Sequence, residues 1–176
     1  MIDVRDLCFH YQGSKHQVFD RFSLQLQPGS VYGLLGKNGT GKSTLLYLIA
    51  GLLRPNSGTV TVNDKESWLR LPEMLQEVFI VPEEYAMPDM SFEAFADMMR
   101  AFYPHFSDEL LGKCLADFEM PARPNLKELS MGQKKKVYMS FAIATGTRLL
   151  MMDEPTNGLD PAGIQEMRAL LAEMPS

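Results

Sequence analysis

Residues 36–44 have the sequence Gly36-Lys37-Asn38-Gly39-Thr40-Gly41-Lys42-Ser43-Thr44. This stretch matches G-x-x-x-x-G-K-[ST], a pattern whose glycine-rich backbone cradles phosphate groups. Its glycines allow backbone N–H groups to turn toward a bound anion, and the helix expected after it points its positive end at the same place. We expect Lys42 to reach the β- and γ-phosphates of a nucleoside triphosphate, and the Ser43 hydroxyl to ligate Mg²⁺.

The segments on either side of the loop favour the same interpretation. Residues 31–35 are short and apolar, as in a β-strand, and residues 43–53 place leucine and isoleucine at helical spacing. Strand, glycine loop and helix is the order in which this motif binds phosphate. A glycine-rich turn without a ligand is the alternative, and the flanking pattern argues against it.

The composition of the 176 residues is typical of one globular domain with its own core. No apolar run is long enough to span a bilayer, and the N-terminus carries charges where a signal peptide needs an apolar segment, so we expect a cytosolic protein. The net charge of -5 argues against a broad nucleic-acid-binding face. Cys8 and Cys114 lack metal-site spacing, and we expect both to be buried free thiols.

Hydrophobic patterning divides the chain into three parts within a single domain. Residues 1–82 hold the predicted strands, at 2–9, 18–27, 59–62 and 78–81, and the phosphate loop. Residues 83–129 form a predicted helical insert rich in methionine and phenylalanine, with Ser91 and Ser107 as helix caps. About two-thirds of six apolar residues in and beside its start are expected to be core; they are Phe79, Tyr85, Met87, Met90, Phe92 and Phe95. Residues 130–176 begin with a helix that opens at Ser130.

Residues 149–154 form an apolar strand that ends in two carboxylates. Its wholly apolar character predicts a parallel strand buried on both faces, and Pro161 starts a final helix. Such a strand carries Asp153 to the sheet edge, where it would hold Mg²⁺ through water, while Glu154 would polarise an attacking water as general base. The alternative is a strand that ends in solvated acids without a ligand. The presence of the phosphate loop in the same chain disfavours it.

A third motif narrows the class. The stretch upstream of that strand reads Leu129-Ser130-Met131-Gly132-Gln133, and the strand continues as Asp153-Glu154-Pro155-Thr156-Asn157-Gly158-Leu159-Asp160-Pro161. The first resembles the LSGGQ signature of ATP-binding cassette (ABC) ATPases, and the second resembles their Walker B motif and D-loop. The resemblance extends from Val4 to the C-terminus in the family's motif order. It implies an α/β P-loop NTPase fold, with an ABC-ATPase core, an N-terminal antiparallel β subdomain and an inserted helical subdomain.

The resemblance also implies a role for each matching residue. The expected nucleotide-binding residues are Tyr11, Val18, Gly36, Lys37, Asn38, Gly39, Thr40, Gly41, Lys42, Ser43 and Thr44. The expected signature residues, which would contact the ATP of a second subunit, are Ser130, Met131, Gly132 and Gln133. Lys42 and Glu154 are the expected catalytic residues, and Asp160 is the D-loop position. For Tyr11, a packed aromatic is the alternative to stacking on adenine, and for Lys134 and Lys135 we favour a solvated helix face.

Two residues depart from the family's pattern. Met131 stands where the signature usually has glycine, and its side chain is expected to weaken the ATP sandwich. Glu83 stands at the Q-loop position in place of glutamine; its carboxylate could join Ser43 and Asp153 as a ligand of Mg²⁺. The Pro82-Glu83 form resembles the ABC-2 type and drug-exporter-like branch.

The family's switch histidine lies beyond the D-loop helix, whereas this chain ends at Ser176, sixteen residues after Asp160. The three histidines, His10, His16 and His105, all precede the strand at 149–152. We expect the natural chain to be longer. We also expect the 176-residue chain to bind ATP–Mg²⁺ but to hydrolyse it about 10²–10³ times more slowly than a complete site would.

The leading functional hypothesis is the ATP-binding and ATP-hydrolysing subunit of an ABC transporter. It would act at the cytoplasmic face of the membrane as a homo- or heterodimer with another ABC ATPase domain, and a separate membrane-spanning permease would be its partner. A soluble ABC-type ATPase of translation or DNA maintenance is the alternative. The acidic balance and the absence of sustained heptads disfavour it, and no nucleic-acid partner is expected. An unrelated P-loop kinase or GTPase is disfavoured by the signature at 129–133.

Overall fold

The computed structural model describes residues 1–173. These residues divide into two compact units, Met1–Leu75 and residues 76–173. The first unit holds the phosphate loop, and the second holds the signature motif and the strand that ends in Asp153. Within the described residues, no helix combines the length and the apolar character that crossing a lipid bilayer requires.

A four-stranded antiparallel sheet, in the order β2-β1-β3-β4, forms most of the first unit. Its strands are β1 (Ile2–His10), β2 (Gln17–Leu26), β3 (Ser57–Val62) and β4 (Lys65–Glu66). The strands predicted at 2–9, 18–27 and 59–62 are therefore confirmed to within two residues. In β2, Phe22, Leu24 and Leu26 are half-buried and alternate with exposed residues, as in a strand with one face on the core.

Helix α1 (Lys42–Ile49) follows the phosphate loop and is shorter than the predicted 43–53. Gly51 has a φ of 71°, a left-handed conformation that ends helices, and Leu52 beyond it is half exposed. The buried side chains of α1 include Leu45 and Leu48, which belong to the core of this unit. A short helix, α2 (Pro72–Leu75), closes the unit.

Residues 31–35 do not form a strand, so that prediction was wrong. Val31 and Leu35 are 93% and 95% exposed. A strand forms where a neighbour completes its ladder of backbone hydrogen bonds, and none of the strands within residues 1–173 pairs with this segment. An apolar run therefore indicates a tendency to be buried, but it does not supply the neighbour.

The second unit contains a parallel pair of strands, β5 (Val78–Val81) and β6 (Leu149–Met152), in which Val81 lies beside Met152. Both strands were predicted, and the parallel pairing of β6 is confirmed. The expectation that β6 is buried on both faces is wrong, because only Met151 is buried and the other three residues are half-buried. Within the described residues this sheet has only two strands, so each has an open edge.

Four helices belong to the same unit. They are α3 (Phe92–Phe102), α4 (Asp108–Asp117), α5 (Met131–Ala144) and α6 (Pro161–Glu173). The predicted caps are confirmed, since the Ser91 and Ser107 hydroxyls accept hydrogen bonds from the backbone N–H groups three residues on, at 3.1 Å in each case. The final helix begins at Pro161, as predicted.

The core of the second unit is built largely from the insert and from α5, including the fully buried Phe118 and Phe141. Cys114 is a buried thiol, as predicted. Cys8, in the first unit, is free but only half-buried, so the expectation of burial is wrong for it. Leu7 and Phe9 on either side of it are buried, and a residue between them on a strand points to the opposite face.

Candidate functional site

The phosphate loop ends at Gly41, which another residue could not replace without strain. Gly41, the N-cap of α1, has a φ of 95°, and a Cβ added there would lie 2.6 Å from Cγ1 of Val18 and 3.0 Å from the Phe19 ring. Val18, predicted to bind nucleotide, therefore packs against the start of α1. Helix α1 begins at Lys42, so the positive end of its dipole lies at the loop, as predicted.

The Lys42 ammonium is held inside the loop. Its Nζ donates hydrogen bonds to the backbone carbonyls of Gly36, at 3.0 Å, and Lys37, at 3.2 Å. The Thr40 hydroxyl donates to the same Lys37 carbonyl at 2.9 Å. These contacts place a cation where the motif holds the β- and γ-phosphates, and phosphate oxygens are stronger acceptors for it than neutral carbonyls.

Tyr11 lies beside the first turn of α1. Its hydroxyl forms a hydrogen bond of 2.9 Å with the Thr44 hydroxyl, and its ring contacts Phe9 edge-on with 5.0 Å between centroids. Nevertheless, 43% of the residue stays exposed, so it is not a packed core aromatic. The ring of Tyr11 is thus exposed and anchored at its hydroxyl. Both properties suit the predicted stacking on adenine.

Strand β6 delivers Asp153 to a buried position in the second unit. The Asp153 backbone N–H donates to the Val81 carbonyl at 2.8 Å, which continues the β5–β6 pairing, and the residue is only 3% exposed. Its Oδ2 atom is buried and has no hydrogen-bond partner among the described residues. A buried acceptor without a partner costs about 1–3 kcal/mol. The unpaired Oδ2 atom is therefore suited to bind a cation, or a water molecule that a cation holds.

That donor set fits Mg²⁺ better than a metal held in a cage of protein ligands. Within the described residues, no three His, Cys, Asp or Glu side chains converge to hold a metal ion. Mg²⁺ commonly uses one or two carboxylates and takes its other ligands from water and substrate phosphates. Asp153 would supply such a carboxylate. That Ser43, in the first turn of α1, also ligates Mg²⁺ stays a prediction.

Lys135 is not on a solvated helix face, so that prediction was wrong. The residue is only 4% exposed, and its ammonium donates to the backbone carbonyls of Glu154, at 3.0 Å, and Asn157, at 2.9 Å. Burial lowers the pKa of Lys135, and the charges of Glu83, Asp153 and Glu154 oppose that shift. Its neighbour Lys134 is half-buried rather than fully solvated.

A side-chain contact joins the Q-loop position to the turn at residues 153–157, which directly follows β6 and is called the acidic turn here. Glu83 is exposed, and its Oε1 accepts a hydrogen bond of 2.9 Å from the Asn157 amide. Glu154, within the acidic turn, has a φ of 44°. This left-handed conformation is uncommon for a residue with a side chain. Whether Glu83 ligates Mg²⁺ stays a prediction.

The signature motif begins α5. Ser130 and Gln133 form a capping box, in which each side chain accepts from the other residue's backbone N–H, at 3.3 and 3.0 Å. Met131 projects from the first turn and is 78% exposed. A Cβ added at Gly132 would lie 2.9 Å from the Gly158 carbonyl, so glycine permits a close approach between the signature and the D-loop.

Sequence reasoning missed two of these roles. Asp160 caps α6, because its Oδ1 accepts from the Gly163 backbone N–H at 2.8 Å, and an aspartate before Pro161 is a signal for such a cap. Lys135 shares its helix face with the buried Met139 and Ala142, four and seven residues on. That spacing is the signal that would have placed Lys135 in the interior.

Comparison with known proteins agrees with these motifs. The sequence model of the family described as ABC transporter matches residues 19–157. Over 174 residues the chain is 30% identical to the ABC transporter ATP-binding protein YtrB of Bacillus subtilis (strain 168), covering 98% of this chain and 59% of YtrB. The chain spans between 50% and 65% of the length of five curated relatives that it matches.

Solved structures show the same fold. The ATP-binding subunit of an ABC transporter aligns with a TM-score of 0.86 and 24% identity, over 98% of this chain and 73% of that one. A dimeric ATP-binding cassette in a post-hydrolysis state, bound to ADP and inorganic phosphate, aligns with a TM-score of 0.82 and 21% identity, over 97% of this chain and 81% of that one. The predicted ABC-ATPase fold class is thereby confirmed.

Proposed function

The chain belongs to the ABC transporter family, and from this membership we propose that it binds and hydrolyses ATP to drive a membrane-spanning permease. The observation that carries the proposal is the buried Asp153, whose Oδ2 atom has no hydrogen-bond partner among residues 1–173. Most buried side-chain polar atoms in native proteins have a hydrogen-bond partner, so an unpaired carboxylate oxygen at this position calls for an explanation. In a protein that binds a triphosphate with Mg²⁺, this oxygen would have a partner, either the metal ion or water bound to it.

Each half of the chain contributes its own groups to this chemistry. Residues 36–44 and Tyr11 would bind ATP, with Lys42 on the β- and γ-phosphates and Ser43 as a ligand of Mg²⁺. In the second unit, Asp153 would ligate Mg²⁺, with Glu83 as a further candidate. Bound Mg²⁺ would neutralise charge on the β- and γ-phosphate oxygens. Glu154 would accept a proton from the attacking water.

We further propose that a second ABC ATPase domain completes the site. The N-terminus of α5 presents Ser130 and Gly132 with the positive end of a helix dipole, a setting that favours a phosphate of the partner's ATP. The exposed Met131 would lie against that partner. One of the solved structures that share this fold is itself dimeric and holds ADP and inorganic phosphate, which supports the proposal.

The permease partner would place this chain at the cytoplasmic face of a membrane. The helical insert is the region expected to meet it. Six apolar residues at the start of the insert and on the adjoining strand divide equally: Phe79, Phe92 and Phe95 are buried, and Tyr85, Met87 and Met90 are half-buried, so half of them rather than two-thirds are core. Phe102, at the end of α3, is 63% exposed. The Pro82-Glu83 dipeptide supports the ABC-2 and drug-exporter-like branch.

Purification of the tagged protein from detergent-solubilised membranes of its native cells tests the proposed partner. We expect an integral membrane protein to co-elute in a fixed ratio, and to be absent from the eluate when the membranes are extracted without detergent. Salt-sensitive co-elution with ribosomes or DNA, without a membrane protein, would contradict the transporter proposal and favour the soluble ABC-type ATPase.

We expect the exposed ring of Tyr11 to contribute measurably to the free energy of ATP binding. Stacking of a base on an aromatic ring is worth about 1–3 kcal/mol, so we expect Tyr11→Ala to weaken ATP binding by about 10- to 100-fold. Tyr11→Phe keeps the ring and loses only the hydrogen bond to Thr44, so its affinity should stay within about threefold of the parent. Fluorescence titration with a labelled ATP analogue measures both. If Tyr11→Ala lowered the melting temperature but left affinity unchanged, Tyr11 would be a packing residue only.

A further inference from the structure

One buried cation lies among the acidic residues of the second unit. Lys135, in the second turn of α5, is only 4% exposed. A buried ammonium is costly unless it is paired or hydrogen-bonded, so its presence in this core indicates a specific set of partners. Those partners are backbone carbonyls in the turn that follows β6.

The ammonium joins the two ends of that turn. It donates to the Glu154 carbonyl at 3.0 Å and to the Asn157 carbonyl at 2.9 Å, while the Asn157 backbone N–H donates to the Glu154 carbonyl at 3.1 Å. Glu154 itself has a φ of 44°, a conformation that costs free energy unless its surroundings hold it. Lys135 therefore holds the backbone of the residue that carries the predicted general base.

The turn that Lys135 holds is also connected to the Q-loop position, and Lys135 itself lies on the helix that begins with the signature motif. The Asn157 side-chain amide donates to Glu83, so the turn held by Lys135 also orders that carboxylate. Lys135 lies one turn of α5 beyond Met131, and α5 begins with the signature motif. A shift of α5 along its axis would thus act on the turn through one hydrogen bond to the Glu154 carbonyl and one to the Asn157 carbonyl.

We propose that Lys135 is a positioning residue for hydrolysis, which holds Glu154 in its reactive orientation and couples it to the signature helix. This inference rests on the proposed function. Displacement of a catalytic group by about 1 Å can cost about 10²-fold in rate, while the groups that bind the triphosphate lie elsewhere in the sequence. Loss of Lys135 should therefore lower the hydrolysis rate and leave ATP affinity almost unchanged.

Three substitutions separate positioning from packing. Lys135→Met keeps the apolar stem and removes both donors and the charge, Lys135→Gln keeps a donor without the charge, and Lys135→Arg keeps donors and charge. Lys134→Met, at the half-buried neighbouring position, is the matched control. Each variant is first checked for a cooperative thermal unfolding transition; where Lys135→Met fails to fold, Lys135→Gln takes its place in the comparison.

The measurement is single-turnover hydrolysis of radiolabelled ATP with Mg²⁺, alongside ATP affinity from equilibrium titration. We expect Lys135→Met to slow hydrolysis by about 10- to 100-fold with affinity within about threefold of the parent, Lys135→Arg to recover most of the rate, and Lys134→Met to match the parent. Parental rates in Lys135→Met or Lys135→Gln, equal losses of rate and affinity, or no recovery with arginine would overturn the inference alone. A parent chain that bound no ATP, or left bound ATP intact, would overturn the proposed function as well.

Discussion

Glu154→Gln is expected to slow ATP hydrolysis by about 10²- to 10⁴-fold, the range that one general base contributes. The substitution keeps the size of the side chain and the backbone contacts of residue 154, including the hydrogen bond from Lys135 to its carbonyl. It removes the carboxylate that would accept the proton of the attacking water. ATP affinity should remain within about threefold of the parent, because the predicted phosphate-binding residues are unchanged. Single-turnover hydrolysis and equilibrium titration measure the two quantities.

Glu84→Gln is the matched control, since Glu84 is exposed and lies outside the acidic turn. It removes the same charge from the same unit, so it should hydrolyse ATP at the parental rate. If Glu154→Gln also kept the parental rate, Glu154 would not be the general base. If both variants slowed hydrolysis equally, the effect would come from net charge rather than from a positioned proton acceptor.

Lys42→Ala is expected to weaken ATP binding by about 10²-fold or more. A hydrogen bond to a charged group contributes about 1.5–3 kcal/mol, and the ammonium that now donates to the Gly36 and Lys37 carbonyls would make two such bonds to phosphate oxygens. Stability should change little, because these contacts lie in an exposed loop. Affinity is measured by equilibrium titration, and thermal unfolding confirms that the variant folds.

Lys15→Ala is the control for this loss, because Lys15 is an exposed lysine of the same unit that lies outside the phosphate loop. We expect its ATP affinity to stay within about threefold of the parent. Equal weakening by both substitutions would indicate a diffuse electrostatic attraction of the first unit for anions rather than a specific contact made by Lys42.

The features that the sequence predicts well are those determined by local chemistry. Ser91, Ser107 and Ser130 each accept a hydrogen bond from a backbone N–H three residues on, and such a cap needs only its own helix. The short antiparallel strands are similarly marked by alternation along the chain. The phosphate loop follows from its glycine spacing, and Gly41 takes the left-handed conformation that the motif requires.

The failures concern partners that are distant in sequence. Residues 31–35 are as apolar as a strand, but they have no strand beside them within the described part of the chain. Lys135 belongs to a basic run that favours solvent, yet two carbonyls about twenty residues away satisfy its ammonium inside the core. Neither the presence of a neighbouring strand nor that of buried acceptors can be read from the local pattern.

Isothermal titration of the 176-residue chain with ATP, ADP and AMP, each with excess Mg²⁺, tests most directly whether residues 36–44 bind the phosphates of a nucleotide. The loop and Lys42 are expected to hold the β- and γ-phosphates. ATP and ADP should therefore bind at a single saturable site, and AMP, which lacks both phosphates, should bind at least about tenfold more weakly. An affinity for AMP equal to that for ATP, or no binding of ATP, would contradict this assignment.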